Sequence, residues 1–306
     1  MPATDGDPIH KSIPPDQAFG WSNLMTQPVI LSYIQVEPLL DAKNKGLQSI
    51  EVSPDLGLTT VTAAITPERV LFPDGETLSW QSIEKIRTSR VNCFIVEDNA
   101  VRPIQVFSEA TNRMCSLFPT EHAPSMLIGG FVMHRIKDAD PMQDTLRKIA
   151  TIKPVIGRVL DTATGLGYTA IEAAKTADEA ITIELDPGAQ EMARLNPWSR
   201  ALFTNPKIHR VIGDAFEVVP TFEDASFDRI IHDPPVFSLA GELYSGAFYR
   251  ELFRVLKRGG RLFHYIGDLN SKSGGTVTRG ALRRLQEAGF VRVVRRPEAF
   301  GVVAYK

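Results

Sequence analysis

The chain has 306 residues, of which 43% are hydrophobic and 23% are charged, and its formal net charge is −2. This composition is typical of a globular protein with room for two domains, and the near-neutral charge excludes a global basic field for nucleic acid. Two cysteines exclude a disulfide framework, and no apolar run reaches the ~18 residues of a membrane span, so we expect a cytoplasmic protein.

The first half of the chain predicts an arm and a small domain. Residues 1–27 are polar and rich in proline, which is typical of a flexible N-terminal arm. Residues 28–137 alternate short β-rich runs with two helical segments, which predicts a small α+β domain that covers substrate or cofactor. We expect a helix at Val29–Leu40, another at Leu78–Ser89, and a hairpin that turns at Asp98-Asn99.

Residues 138–306 predict a second domain built on a parallel sheet. Asp140 and Pro141 favour a helix start, and strands alternate with helices from Val159 onward. The helix Ser245–Leu256 is expected to stop at Gly259-Gly260. The last two strands have no helix between them, so they should form an antiparallel hairpin. The prediction is an α/β fold with a Rossmann-like, seven-stranded sheet, an antiparallel last strand and a small α+β N-terminal domain.

A strand, a glycine turn and a helix start follow one another around Asp161. Asp161 closes the strand, and Gly165 and Gly167 allow tight turns before the helix begins at Tyr168. The pattern fits G-x-G-x-x-G poorly, and an acid at this place would repel a pyrophosphate. It resembles the first motif of class I, Rossmann-fold S-adenosylmethionine (SAM) methyltransferases, with Ala163 in place of the first glycine. The resemblance implies that SAM is the cofactor.

Two further acids follow the next two strands. Glu184 ends the second strand, where a carboxylate can accept both hydroxyls of an adenosine ribose, and Leu185 can lie against the adenine. Asp214 follows the third strand, where it can accept from the adenine amino group beside the backbone of Ala215. Three acids at successive strand ends would gather at the carboxyl edge of the sheet, where open α/β sheets bind ligands.

The fourth strand ends in Asp233-Pro234-Pro235, followed by Val236 and Phe237. This resembles the [N/D/S]-P-P-[Y/F/W] motif of methyltransferases that modify amino nitrogens. Prolines stiffen the loop, so the Asp233 side chain and the Pro234 carbonyl become aimed acceptors for an amino group. Val236 stands where the family has an aromatic residue, and Phe237 is the candidate to replace it in stacking on a planar substrate.

The resemblance to class I methyltransferases covers about half of the chain. The whole chain also resembles a family of predicted methyltransferases of archaea and some bacteria, through stretches such as Met133-His134-Arg135 and Asn196-Pro197-Trp198-Ser199. We therefore expect a SAM-dependent methyltransferase that modifies an amino nitrogen, with an exocyclic amine of a nucleobase in RNA as the candidate acceptor. No motif with metal-ligand spacing occurs, so no metal is expected.

Two other functions remain open. Ile183-Glu184-Leu185-Asp186-Pro187 and Gly213-Asp214-Ala215 also look like motifs of polyamine aminopropyltransferases, which use decarboxylated SAM on the same fold. Their first motif is richer in glycine, and their strand-four loop is acidic rather than Asp-Pro-Pro. A non-catalytic module that binds SAM or RNA is the third hypothesis, and an intact Asp233 argues against it.

Overall fold

The described residues of the chain form two compact units. A computed structural model describes residues 28–137, 139–235, 237, 239–269 and 272–306. The N-terminal unit contains the described residues from 28 to 142 and the segment Gly188–Arg200. The C-terminal unit contains Gln143–Pro187 and Ala201–Lys306. The arm predicted over residues 1–27 lies outside the described residues.

The described strands of the N-terminal unit form three antiparallel sheets, in the orders β1-β6-β7, β2-β3-β4-β5 and β11-β10-β9-β8. The strands are β1 (Val29–Leu31), β2 (Ser49–Val52), β3 (Val61–Ile65), β4 (Arg69–Leu71), β5 (Thr77–Ser79), β6 (Phe94–Glu97), β7 (Ala100–Pro103), β8 (Gln105–Ser108), β9 (Arg113–Phe118), β10 (Ser125–Ile128) and β11 (Phe131–Val132). The helices are α1 (Tyr33–Asn44) and α2 (Trp80–Thr88). An apolar core joins both helices to the first two sheets.

The start of α1 differs from the sequence prediction. The helix expected over Val29–Leu40 is wrong at its beginning, because Val29–Leu31 pair with β6 as a strand. Ser32 then caps the helix: its hydroxyl accepts from the Ile34 N–H at 3.2 Å, and the Gln35 side chain accepts from the Ser32 N–H at 3.0 Å. The predicted hairpin is confirmed, since β6 and β7 pair across Asp98 and Asn99, both with positive φ.

Segment Gly188–Arg200, which carries the Asn-Pro-Trp-Ser stretch, belongs to the N-terminal unit. The Trp198 indole donates to the Leu56 carbonyl at 3.0 Å, and the Asn196 side chain accepts from the Trp198 N–H at 3.2 Å. The tryptophan therefore has a packing and hydrogen-bonding role within this unit.

The C-terminal unit is built on one seven-stranded sheet in the order β14-β13-β12-β15-β16-β18-β17. Its strands are β12 (Arg158–Asp161), β13 (Glu179–Glu184), β14 (Ile208–Ile212), β15 (Phe227–His232), β16 (Leu256–Tyr265), β17 (Arg292–Arg296) and β18 (Gly301–Tyr305). The first five in the sheet order are parallel, and β18 is antiparallel to both of its neighbours. This sheet confirms the predicted fold class.

The helices of this half of the chain are α3 (Pro141–Thr151), α4 (Tyr168–Ala174), α5 (Pro187–Leu195), α6 (Arg200–Thr204), α7 (Ala215–Val218), α8 (Gly246–Val255) and α9 (Lys272–Glu287). Helix α8 packs in one core against the sheet and helices α3 and α4 pack in another, so neighbouring residues of one strand enter different cores. Leu160 packs in the core that contains Phe248 of α8, whereas Val159 packs in the core that contains Ile149 of α3 and Ala173 of α4. Burial of each such side chain stabilises the folded state by about 1.5–3 kcal/mol, and this burial on both faces fixes the position of the strand that ends at Asp161.

Gly259 and Gly260 do not end a helix, contrary to the sequence prediction. Helix α8 stops at Val255, and β16 already begins at the next residue. Leu256 pairs with Phe227, and the register is irregular before the pairing resumes, so the two glycines lie in that irregular part of β16. Val255 and Leu256 are both fully buried, so the chain passes from helix to strand without an exposed turn between them.

Candidate active site

Four carboxylates lie along the carboxyl edge of the sheet. Asp161 ends β12 and Glu184 ends β13. Asp214 follows the end of β14 with one residue between them, and Asp233 is the first residue after β15. These four strands are parallel neighbours in the order β14-β13-β12-β15. The sheet therefore brings four acids to one edge, although the first and the last of them are more than seventy residues apart along the chain.

Asp161 is fully buried beneath the glycine turn. One carboxylate oxygen accepts from the Thr169 hydroxyl at 2.7 Å, and the other accepts from the Ala163 N–H at 3.4 Å. Burial raises the pKa of Asp161 to about 7, although both hydrogen bonds favour its ionised form. Ala163, the irregular position of the motif, thus contributes its backbone N–H as a donor to the Asp161 carboxylate.

Glu184 holds the glycine turn from the neighbouring strand. Its Oε2 accepts from the Gly165 N–H at 2.8 Å, and its Oε1 accepts from the Asp186 N–H at 2.9 Å. The Leu185 N–H also interacts with this carboxylate, and a remaining lone pair could still accept a hydroxyl group of a ligand. Burial raises the pKa of Glu184 to about 7. Leu185 beside it is 55% exposed, which leaves an apolar surface next to the carboxylate.

The two motif glycines have positive φ but different surroundings. Gly165 has φ +51°, and a Cβ built there would meet no atom within 4 Å. Gly167 has φ +79°, and a Cβ there would lie 2.6 Å from Cδ2 of Leu202. Open space beside the Gly165 backbone suits close approach of a ligand, whereas Gly167 is needed for packing beneath the turn.

We expect Gly167→Ala to lower the melting temperature more than Gly165→Ala. A left-handed backbone costs alanine about 1–2 kcal/mol at either position. At Gly167 the clash with Leu202 adds about 1–3 kcal/mol of overpacking. Thermal unfolding of both variants measures the difference. Equal losses would show that the Leu202 contact is not what requires glycine.

Asp214 caps the short helix α7. Its Oδ1 accepts from the Phe216 N–H at 2.8 Å, and Ala215 is buried at the start of that helix. This bond fixes the orientation of the carboxylate and uses one of its oxygens. No donor from the described residues reaches the other oxygen, which could accept from a donor such as an adenine amino group.

Asp233 forms an ion pair that the sequence analysis missed. Lys148 Nζ lies 2.6 Å from Asp233 Oδ2 and 2.8 Å from Asp144 Oδ2. Lys148 and Asp144 are 4% and 1% exposed, so this lysine is held inside the protein by two carboxylates. Burial raises the pKa of Asp233, and Lys148 opposes that rise. Among the described residues, Lys148 alone donates to Asp233, and Oδ1 receives no hydrogen bond.

The rest of the loop is held through Tyr244. Its hydroxyl donates to the Pro235 carbonyl at 3.0 Å, while no donor in the described part of the chain reaches the Pro234 carbonyl. Phe237 is 55% exposed and meets Tyr244 edge-on with 5.5 Å between ring centroids. Val236 lies outside the described residues.

Two buried histidines brace the strand ends beneath this loop. His232 Nδ1 accepts from the Thr162 hydroxyl at 2.7 Å, and its Nε2 donates to the Leu243 carbonyl at 2.9 Å. The centroid of the His264 ring lies 4.5 Å from that of His232, with the two rings tilted by 36°. His264 Nε2 accepts from the Tyr249 hydroxyl at 2.7 Å. Burial lowers the pKa of His232 to about 4 and also lowers that of His264. Both imidazoles are therefore neutral supports.

Comparison with known proteins identifies the domain. Residues 160–264 match the family model described as Methyltransferase domain. The uncharacterized protein MJ1233 of Methanocaldococcus jannaschii is 40% identical over 288 residues, which cover 92% of this chain and 98% of that protein. The chain belongs to the same family as MJ1233. Its C-terminal unit is a class I, SAM-dependent methyltransferase domain, and SAM is its cofactor.

Polyamine enzymes share the fold of this methyltransferase. A polyamine aminopropyltransferase of Aeropyrum pernix is 32% identical over 110 residues, about a third of each chain (34% and 35%). A crystal structure of spermidine synthase with the transition-state analogue AdoDATO superposes with a TM-score of 0.54 at 21% identity, covering 67% of this chain and 75% of that one. Spermidine synthase from Thermotoga maritima gives 0.52 at 19% identity, covering 68% and 75%. The two structures establish a common fold.

Among the described residues, no group of three or more His, Cys, Asp or Glu side chains could hold a metal ion. No helix in the described part of the chain is both long and apolar enough to cross a membrane.

We expect the affinity for SAM to fall as the pH drops below about 7. Asp161 and Glu184 have pKa values of about 7, and a cationic ligand favours their ionised forms, so binding should release protons. Between about pH 8 and pH 6 the dissociation constant should rise by up to about tenfold per titrating group. Calorimetry in two buffers with different ionisation heats measures the proton release. A pH-independent affinity would contradict this prediction.

Proposed function

We propose that this methyltransferase moves a methyl group from SAM to an amino nitrogen, and that the acceptor is an exocyclic amine of a nucleobase in RNA. One observation carries the proposal. The Asp233-Pro234-Pro235 loop leaves β15 beside the strand of the first motif, and it offers Asp233 Oδ1 and the Pro234 carbonyl without donors from the described residues. Two fixed acceptors match the two N–H groups of an amine.

The cofactor side uses the acids of the neighbouring strands. In this proposal Glu184 accepts from the ribose hydroxyls, Leu185 contacts the adenine, and Asp214 with the Ala215 backbone binds its amino group. The turn from Asp161 through Ala163 and Gly165 to Gly167 holds the amino-acid part. The open space beside Gly165 and the free oxygen positions of Glu184 and Asp214 support these assignments.

The acceptor side mainly positions the amine. Asp233 and the Pro234 carbonyl accept its two N–H groups, which directs the nitrogen lone pair away from them. When bound, SAM supplies a methyl group on a cationic sulfur, whose bond breaks as the lone pair forms the new N–C bond. Asp233 stabilises the positive charge that develops on nitrogen and accepts the proton that is lost afterwards. Pro235 stiffens the loop, and the exposed Phe237 ring is available to stack on a planar base.

An RNA acceptor long enough to pass across the sheet would also meet a basic surface at the end of the strands opposite the active site. Arg261 and Arg292 lie 5.7 and 5.2 Å from the centroid of the Tyr305 ring. The strand register places all three toward the amino end of β15, whereas Asp233 follows its carboxyl end. Arginine beside an aromatic ring is a common way to contact phosphates and bases. The overall charge of −2 confines any such contact to a local patch.

A paired mass-spectrometric comparison tests the proposed function. Nucleosides and polyamines would be measured in cells with and without the gene, and again after return of the wild-type gene or the Asp233→Ala gene. We expect the deletion to remove one N-methylated nucleoside, which only the wild-type gene restores. Purified protein should also gain thermal stability with SAM by mass action, and no shift at saturating SAM would refute cofactor binding.

Aminopropyl transfer is the second candidate, favoured by the sequence match to polyamine aminopropyltransferases and by the shared fold. It predicts preferential binding of decarboxylated SAM. An unchanged nucleoside profile together with an altered polyamine profile would select this candidate and reject methyl transfer to RNA.

A further inference from the structure

Lys148 contacts one oxygen of the Asp233 carboxylate, whose other oxygen is proposed to accept from the amine. Its ammonium group lies 2.6 Å from Asp233 Oδ2, and on its other side it lies 2.8 Å from Asp144 Oδ2. The Tyr265 ring lies 4.8 Å from the same nitrogen, so the ammonium is enclosed by two carboxylates and an aromatic face. With 4% of its side chain exposed, Lys148 has little room to leave.

This arrangement sets the charge of the acceptor site. Asp144 and Asp233 together carry two negative charges, and Lys148 cancels one of them. Asp161 lies near enough to Asp233 to affect it electrostatically, and Tyr244 and Tyr265 are the neutral titratable groups that face the same region. A second cation bound at Asp233 would face the Lys148 ammonium across a single carboxylate.

We propose that Lys148 is a specificity-determining residue that restricts the acceptor to uncharged amino groups. The inference rests on the proposed function and deepens it. An uncharged amino group of a nucleobase already carries the lone pair that attacks, and it brings no charge beside Lys148. An aliphatic diamine is a double cation at neutral pH, so like-charge repulsion disfavours it at this place. Lys148 thus argues for a nucleobase-type amine and against a polyamine.

Binding of 1,4-diaminobutane to the protein saturated with S-adenosylhomocysteine tests this role by calorimetry. The wild type should bind the diamine weakly. Lys148→Met should bind it at least about tenfold more tightly, because Asp233 and Asp144 lose their internal cation. Lys148→Arg keeps the positive charge and should exclude the diamine like the wild type, which a merely structural role of the lysine side chain would not predict.

Two further variants serve as controls for the role of Lys148. Asp144→Asn with Lys148→Met removes the buried Asp144 charge together with its Lys148 partner, so it tests the same idea if Lys148→Met fails to fold. Lys257→Met removes another lysine–aspartate pair, with Asp228 at 2.7 Å near the amino end of β15, and should bind the diamine like the wild type.

The outcomes separate the two proposals. Equal diamine affinity in the wild type, Lys148→Met and the double variant would overturn the role of Lys148, while N-methyl transfer to RNA would stand. Aminopropyl transfer by the wild type from decarboxylated SAM to the diamine would overturn the proposed function itself.

Discussion

Asp233→Ala should lower the rate of methyl transfer by about 100- to 1,000-fold, the usual loss when one preorganised group that stabilises transition-state charge is removed. The variant loses the carboxylate that is proposed to orient the amine and to stabilise its positive charge. Lys148 keeps its 2.8 Å contact with Asp144, so the buried ammonium retains a partner and the fold should persist. Single-turnover transfer of labelled methyl groups measures the rate, and calorimetry measures the affinity for SAM, which should change little.

Asp233→Asn and Asp228→Asn are the matched comparisons. The asparagine at position 233 keeps one carbonyl oxygen but no negative charge, so its loss should be smaller than that of alanine. Asp228 lies on the same strand and accepts from Lys257 and from the Arg158 N–H. Transfer by Asp228→Asn should match the wild type. If Asp233→Ala left every methylated product unchanged, the catalytic assignment would fail and a non-catalytic module binding SAM or RNA would become the better hypothesis.

Glu184→Ala should weaken SAM binding by about 10- to 100-fold, because hydrogen bonds to a charged group contribute about 1.5–3 kcal/mol. The carboxylate has two tasks: it is proposed to accept the ribose hydroxyls, and it accepts the Gly165 and Asp186 N–H groups. Its loss removes a ligand contact and also loosens the glycine turn. Calorimetry gives the affinity, and circular dichroism verifies that the fold is intact.

Glu184→Gln and Glu179→Ala separate these tasks from general effects. Glutamine retains one carbonyl oxygen and should weaken binding less than alanine does. Glu179 begins the same strand and pairs with Arg158 at 2.7 Å, away from the carboxyl edge, so Glu179→Ala should leave the affinity for SAM unchanged. Unchanged affinity in Glu184→Ala would refute the proposed contact with the ribose.

The sheet of the C-terminal unit could be predicted from sequence because its signals are local. Apolar runs such as Ile208–Ile212 are bounded by turns and match the observed strand residue for residue. The terminal hairpin followed from the lack of a helix between its strands. The segment Val29–Leu31 was wrongly predicted to be helical, because its strand partner β6 lies more than sixty residues away along the chain. A local pattern cannot display such a partner.

The acids at the strand ends could be found by their position after apolar runs, but Lys148 could not. It lies on α3, where Leu146 is 47% exposed and the charged pair Asp144 and Lys148 is buried, the reverse of the usual amphipathic pattern. The spacing of four residues between Asp144 and Lys148 reads as an ordinary surface pair. Its meaning depends on Asp233, which is 85 residues further along the chain.

The neutral histidines change how a pH profile of this enzyme should be read. An inflection near pH 7 is conventionally assigned to an imidazole. Here both nitrogens of His232 are engaged by a hydroxyl and a carbonyl, and its pKa lies near 4, whereas the groups that titrate near 7 are the carboxyls of Asp161 and Glu184. An activity that rises through neutrality would therefore report deprotonation of acids, and histidine-directed reagents would be the wrong tool for finding its origin.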